Sequence, residues 1–247
     1  MSFTVEVVCY SIEDVLRARR GGASRVELCA DPGTGGTSPN YGLIKQTVAL
    51  GDTEVAVMIR PRGGDFLYTA EELAVMQDDI RIAGDLGAQC VVFGVLDETG
   101  FLNRKAMSQL VQTAKDKNLE VTCHRAFDVA RNPLDFLQVL IDLRVDRLLT
   151  SGQKKSAVEG KDLLLELITA ADGRLSVMPG GGIRPHNIHE LLDLPIHEIH
   201  TGSSQEVPSK MAQLGRKINM GTDDDQGLHT FVDEEAIRAI VHASKNR

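Results

Sequence analysis

Short apolar runs, often broken by single polar residues, are separated along this chain by longer stretches whose apolar residues recur every three or four places. The first pattern has the two-residue period of a β-strand, the second the 3.6-residue period of an amphipathic helix. Strands are predicted over residues 3–9, 25–29, 54–59, 89–95, 119–124, 146–150, 175–178 and 197–200. Helices are predicted between them from their start signals: Ser11 with Asp14, Ser38 followed by Pro39, Thr69 with Glu72, Asn103, Asn132 followed by Pro133, and Ser156 with Glu159. A short helix carrying Ile188 and Leu191 follows the seventh strand, and Asp233 opens a last helix carrying Ile237, Ile240 and Val241.

Eight such units predict one α/β domain over residues 1–247, a closed (β/α)8 TIM barrel, with an open doubly wound sheet as the competing architecture. The connection over about 202–232 is long for a compact domain, which suits a lid, a contact surface or a plain insertion.

Alternation then assigns faces. Val55, Val57 and Ile59 point to the helices, which turns Ala56, Met58 and Arg60 inward; the same rule turns Glu6, Glu27, Thr122, His124, Glu198 and His200 inward. Charges in a barrel interior are costly unless paired, so this set either forms a structural network or marks a site. Arg60, His124 and His200 fall at the carboxyl ends of their strands, where barrel enzymes keep their chemistry. Glu27 lies between them and the deeper Glu6 and Glu198.

Several stretches gather on that rim. "RPRGGDF" (60–66) supplies Arg60, with Arg62 above it to bind an anion or to pair with Asp65. "HRAFD" (124–128) supplies His124, whose ordinary pKa suits acid–base work, with Asp128 to orient it or to hold the loop. "PGGGI" (179–183) and "TGSS" (201–204) put Gly181, Gly182 and Ser203 where many barrels bind phosphate through backbone N–H groups and a helix N-terminus.

Composition narrows the partners. A net charge of −8 disfavours nucleic acid, and no apolar run approaches the ~20 residues that span a bilayer. The N-terminus lacks the look of a signal peptide, which points to the cytoplasm. The four cysteines are too sparse for a disulfide scaffold. Cys9 and Cys29 end neighbouring strands and could share a soft ion such as Cu(I), although alternation faces Cys9 outward and Cys29 inward unless a bulge intervenes. His186, His189 and His197 read as surface residues, "GTDDDQG" (221–227) lacks EF-hand spacing, and no organic cofactor signature is evident.

Together, "CYS" (9–11), "RVELC" (25–29), "RPRGGDF", "HRAFD" and "LTSGQ" (149–153) resemble, in order and spacing, the CutC family of copper homeostasis proteins across nearly the whole chain. The resemblance implies a cytoplasmic (β/α)8 barrel, homo-oligomers, and Cu(I) bound by cysteines matching Cys9 and Cys29. The residues themselves point elsewhere: to an enzyme acting on a small anionic substrate, phosphorylated compounds included. Arg60 would bind the anion with help from Gly181 and Gly182, and Glu27 or His124 would move the proton. Whether the chain is an enzyme stays open at this level.

Overall fold

The computed structural model describes residues 3–208 and 228–245. Eight parallel strands, β1 (Thr4–Cys9), β2 (Arg25–Leu28), β3 (Glu54–Met58), β4 (Cys90–Phe93), β5 (Glu120–Cys123), β6 (Arg147–Thr150), β7 (Ser176–Pro179) and β8 (Glu198–Thr201), follow the order β7-β6-β5-β4-β3-β2-β1-β8. The two outer strands meet at one parallel bridge, Gly180 to His200, so the sheet curls into a barrel. The predicted TIM barrel is the observed fold, and the open sheet is set aside.

Six helices alternate with the strands: α1 (Ile12–Arg20), α2 (Tyr41–Val48), α3 (Ala70–Asp85), α4 (Arg104–Asp116), α5 (Pro133–Asp142) and α6 (Lys161–Ala171). Their starts largely obey the local signals. Ser11 caps α1, Thr69 and Glu72 form a reciprocal capping box on α3, Asn103 caps α4, and Pro133 opens α5.

Two starts move. Ser38 is drawn off to Asp79 and to the Arg60 N–H, so Asn40 caps α2 instead. Ser156 and Glu159 close a separate turn, tied by the Ala157 N–H to the Gly181 carbonyl, and α6 begins after Gly160. The short helix expected after β7 is only a single 3-10 turn, Ile188–Glu190.

The described ends of the long connection pair as an antiparallel hairpin, β9 (Ser204–Pro208) with β10 (Leu228–Val232), before α7 (Glu234–Lys245). The Val232 N–H donates to buried Asp14 at the start of α1, and the Arg17 guanidinium covers the Phe231 ring at 4.9 Å. The stretch 221–227 lies outside the described residues. No described helix is long and apolar enough to cross a membrane.

The main core lies between sheet and helices and takes the outward strand residues, Val5, Val7, Val55, Val57 and Ile59 among them. A small apolar cluster inside the barrel, Cys29, Ala56, Met58, Cys90 and Val92, fills the β2–β4 side. The other side is ionic. Arg25 pairs with Glu6 through Nε and with Glu198 through Nη2 at 2.6 Å. Arg147 pairs with Glu198 at 2.8 Å and with Glu120 at 3.0 Å. The Ser176 hydroxyl donates to Glu198. Glu6 and Glu198 were expected inside; the two arginines that neutralise them were not.

Candidate functional site

The carboxyl ends of the strands open into a cavity of about 250 Å³. That is just under the ~300–1,000 Å³ usual for small-molecule sites, so the cavity suits a small ligand. Of the residues singled out from the sequence, Glu27, Arg60, His124, His200, Gly181 and Gly182 line it, joined by Arg125 and Arg184. The polar interior thus divides in two: Glu6, Arg25, Arg147 and Glu198 below form a structural network, and the site lies above.

Arg60 follows β3 and is buried. Its Nη1 donates to the Thr34 and Gly36 carbonyls and its Nη2 to the Gly64 carbonyl, each at 2.8 Å. Backbone oxygens therefore fix the guanidinium, with no carboxylate among these partners to cancel its charge; the Tyr68 hydroxyl lies close to it, and Nε makes no well-aligned hydrogen bond. The glycines of "RPRGGDF" have a structural purpose: Gly64 adopts φ +85°, and a Cβ on Gly63 would lie 2.8 Å from Thr34 Cβ.

His124 follows β5. Its Nδ1 accepts the Ala126 N–H at 3.2 Å, which puts the ring proton on Nε2. Burial, reinforced by the Arg60 charge, depresses its pKa to about 3. The imidazole is therefore neutral, and the expectation of an acid–base group titrating near neutrality is corrected: at pH 7 this side chain is a hydrogen-bond donor. The Phe66 ring sits 4.9 Å from the His124 ring and 5.0 Å from Arg60 Cζ, holding both on one wall.

Glu27 carries the titrating role instead. Burial lifts its carboxyl to about 7, against the pull of His200. Its Oε2 lies 3.5 Å from the Cys29 thiol and 4.0 Å from His200 Nε2, while Oε1 is unpartnered. The other nitrogen of His200, Nδ1, is 2.8 Å from Glu6. Burial opposes the charge on His200, but Glu27 and Glu6 outweigh it and raise its pKa. Burial likewise opposes the charge on Glu6, yet Arg25 and His200 hold it at about 2.

The remaining expectations scatter. Asp128 does not reach His124 in any hydrogen bond; it binds the Ser151 N–H and hydroxyl, the Thr150 hydroxyl and Arg125 Nε, tying the loops after β5 and β6 together. Arg62 turns to Glu72, Asp65 and the Leu67 carbonyl, stiffening the entry to α3 outside the cavity. Ser203 bonds Thr201 and lines an adjoining, more apolar cavity of about 260 Å³ with Tyr10 and Phe231. Gly181 and Gly182, at φ +104° and +72°, keep the backbone close to Arg125 and Ser156, but no regular helix follows to supply an N-terminus. His186, His189 and His197 are exposed, as expected.

Cys9 and Cys29 do not come together. β1 stays paired with β2 through Cys9 without a bulge, so Cys9 joins the outer core and Cys29 the inner cluster. Burial, then neighbouring carboxylates, push both thiols well above their usual range. A two-thiolate Cu(I) site does not fit this arrangement. Glu6, Glu27 and His200 could each bring one donor atom within 4.8 Å of the others, but Glu6 is already committed to Arg25 and His200.

The depressed His124 has a measurable consequence. In the unfolded chain its imidazole titrates near 6.5, in the fold at about 3. Between those values the unfolded chain binds the extra proton, so stability falls as the pH drops, by up to about 1.4 kcal/mol per pH unit. Glu27 acts with the opposite sign between about 4.5 and 7, its stabilisation being lost as the pH rises. The His124 contribution is therefore the difference between wild type and His124→Asn. Urea midpoints from pH 7 to 4 should fall more steeply in wild type; parallel slopes would contradict the neutral imidazole.

The model of the CutC family matches residues 3–205, which contain all eight barrel strands and every residue described for the main cavity. A CutC family protein of Parabacteroides distasonis is 44% identical over 245 residues, 98% of this chain and 100% of its own. One of Serratia proteamaculans is 40% identical over 241 residues, covering 97% and 94%. A crystal structure described as a candidate copper homeostasis protein, CutC, from Streptococcus agalactiae is 31% identical with a TM-score of 0.75, over 80% of this chain and 97% of that one.

Proposed function

The chain belongs to the CutC family, and on that premise we propose that it is an enzyme acting on a small anionic molecule in the barrel mouth, with Glu27 as the group that moves a proton. The observation that carries this reading is Glu27 itself: a buried carboxyl with an unpartnered Oε1, its pKa raised by burial to about 7, in a cavity lined by Arg60, Arg125 and Arg184. A carboxyl with that pKa is poised to give or take a proton at neutral pH. The arginines and the close backbone at Gly181 and Gly182 supply the positive field for a carboxylate or phosphate.

The test is thermal stabilisation by phosphate, sulfate and small carboxylates. An anion at about a hundredfold its Kd adds ~2.7 kcal/mol, or about 5–10 °C in Tm for a chain of this size. We expect that rise in wild type and its loss in Arg60→Ala. No response to any of these anions would overturn the proposal.

The Streptococcus agalactiae relative is described in terms of copper homeostasis, and that name supports a second reading, copper handling by this chain. Because Cys9 and Cys29 face opposite sides of the sheet, we read any copper effect as an indirect result of the enzyme's chemistry. Cu(I) uptake abolished by both Cys9→Ser and Cys29→Ser would reverse that ranking. We infer from the resemblance that the protein is cytoplasmic and forms homo-oligomers.

A further inference from the structure

Among the described residues, five buried side-chain atoms lack a hydrogen-bond partner, and three of them belong to residues of this one cavity: Arg60 Nε, His124 Nε2 and Glu27 Oε1. Buried polar groups are nearly always paired in folded proteins, so a cluster of unpaired ones calls for a ligand of complementary chemistry. The three differ in what they ask for. Arg60 Nε is a donor. His124 Nε2 is a donor too, because Nδ1 already accepts the Ala126 N–H. Glu27 Oε1 is an acceptor when ionised and an acid when not. The Phe66 ring braces both donors on one wall, while Glu27 projects from within β2, deeper than the residues that follow β3 and β5.

Two fixed donors on one wall and one proton acceptor deeper in the same cavity match an oxygen that gains negative charge while a neighbouring carbon loses a proton. We propose that this cavity catalyses proton abstraction next to a carbonyl: Glu27 Oε1 takes the α-proton while His124 Nε2–H and Arg60 Nε–H hold the carbonyl oxygen as it becomes an enolate. The C–H bond breaks, its electron pair forms the C=C bond, and the C=O π pair moves to oxygen. The proton waits on Glu27 and returns to the same carbon or to its neighbour, so no oxidant, reductant or second substrate is required. The proposal rests on the anionic-substrate reading and names the class: a small carbonyl compound carrying a carboxylate or phosphate, held in the shared field of Arg60, Arg125 and Arg184.

A neutral imidazole suits this role better than a charged one would. It stabilises the enolate oxygen without delivering a proton to it outright. Fixing the ring by Ala126 and the guanidinium by three carbonyls means that neither must reorganise as charge develops.

Solvent exchange tests the proposal. The full chain is incubated in D2O at neutral pD with pyruvate, 2-oxobutyrate or dihydroxyacetone phosphate, and the α-C–H signals are followed by proton NMR, with binding of each probe read separately by thermal shift. We expect protein-dependent exchange of at least one bound probe. Glu27→Gln should slow it about 10²–10⁴-fold, and His124→Asn about 10²–10³-fold. Glu27→Asp, which keeps the carboxylate but withdraws it, should retain part of the rate and guards against a folding failure in Glu27→Gln. Arg81→Ala, which removes an exposed ion pair with Asp78 on α3, should leave the rate within about twofold, as a surface pair away from the site allows. Probes that bind but do not exchange, or exchange indifferent to Glu27→Gln, would overturn enolate chemistry and leave the anion site standing. Failure of every probe to bind would remove both.

Discussion

Replacing Arg25 with alanine should lower the free energy of unfolding by about 3–5 kcal/mol, the cost of stranding buried charge. Arg25 is only 3% exposed and joins Glu6 on β1 to Glu198 on β8. Its removal leaves Glu198 with one arginine, Arg147, and the Ser176 hydroxyl, and leaves Glu6 with His200. Glu6 would then lose the main charge that holds it at about 2 and drift upward. Part of the loss should therefore appear as a changed pH dependence. The ordinary protein keeps the Glu6 contribution above about 4.5 and loses it as the pH falls toward 2; the variant should have little left to lose. Urea unfolding at pH 7 and pH 4 reads both effects, and a loss below 1 kcal/mol at pH 7 would mean the barrel interior is far better solvated than its burial indicates.

Gly160→Ala should be the second severe lesion, costing about 3 kcal/mol, at the upper end for overpacking. An added Cβ would stand 1.9 Å from the Ser151 carbonyl oxygen and 2.8 Å from Gly152 Cα. Both obstacles are backbone, so no rotamer change relieves them. The displaced Ser151 is the residue whose hydroxyl receives Arg125 and meets Asp128, so the anion response should weaken along with the Tm. Gly173→Ala is the contrasting control. Gly160 has φ −91°, which any residue adopts, so its cost is steric alone; Gly173 is left-handed, with φ +70°, but nothing lies within 4 Å of the added atom, so only the ~1 kcal/mol conformational cost is expected. Comparable losses in the two variants, read by scanning calorimetry, would contradict the steric account.

The sequence was most informative where a period of two residues could be read. That period put Val55, Val57 and Ile59 outside, Ala56 and Met58 inside, and Arg60 and His124 at the mouth, and each lies there. It also argued against a Cys9–Cys29 pair. The same rule, carried two residues back from Glu27, puts Arg25 inside, so half of the hidden ionic network was legible in principle. What the period cannot supply is the partner. Arg25 and Glu198 are 173 positions apart, and only closure of the barrel makes them neighbours. The cap signals at Ser38 and Ser156 failed for a related reason: Ser38 bonds Asp79 on α3 and the Arg60 N–H, and Ser156 closes a separate turn with Glu159, so neither caps a helix. The neutrality of His124 and the raised Glu27 depend on burial and on charges brought from other strands, which no local pattern encodes.

The seam between β7 and β8 carries a single backbone bridge. Side chains span it instead: Ser176 from β7 and Arg147 from β6 both grasp Glu198 on β8, and Arg25 pulls the same carboxylate toward β2. Ionic hands, in effect, clasp a hoop whose main-chain weld is incomplete. A protein engineer who swapped those charges for aliphatics would have to stitch the staves together anew, and the mouth above, where His200 stands on the seam itself, would loosen first.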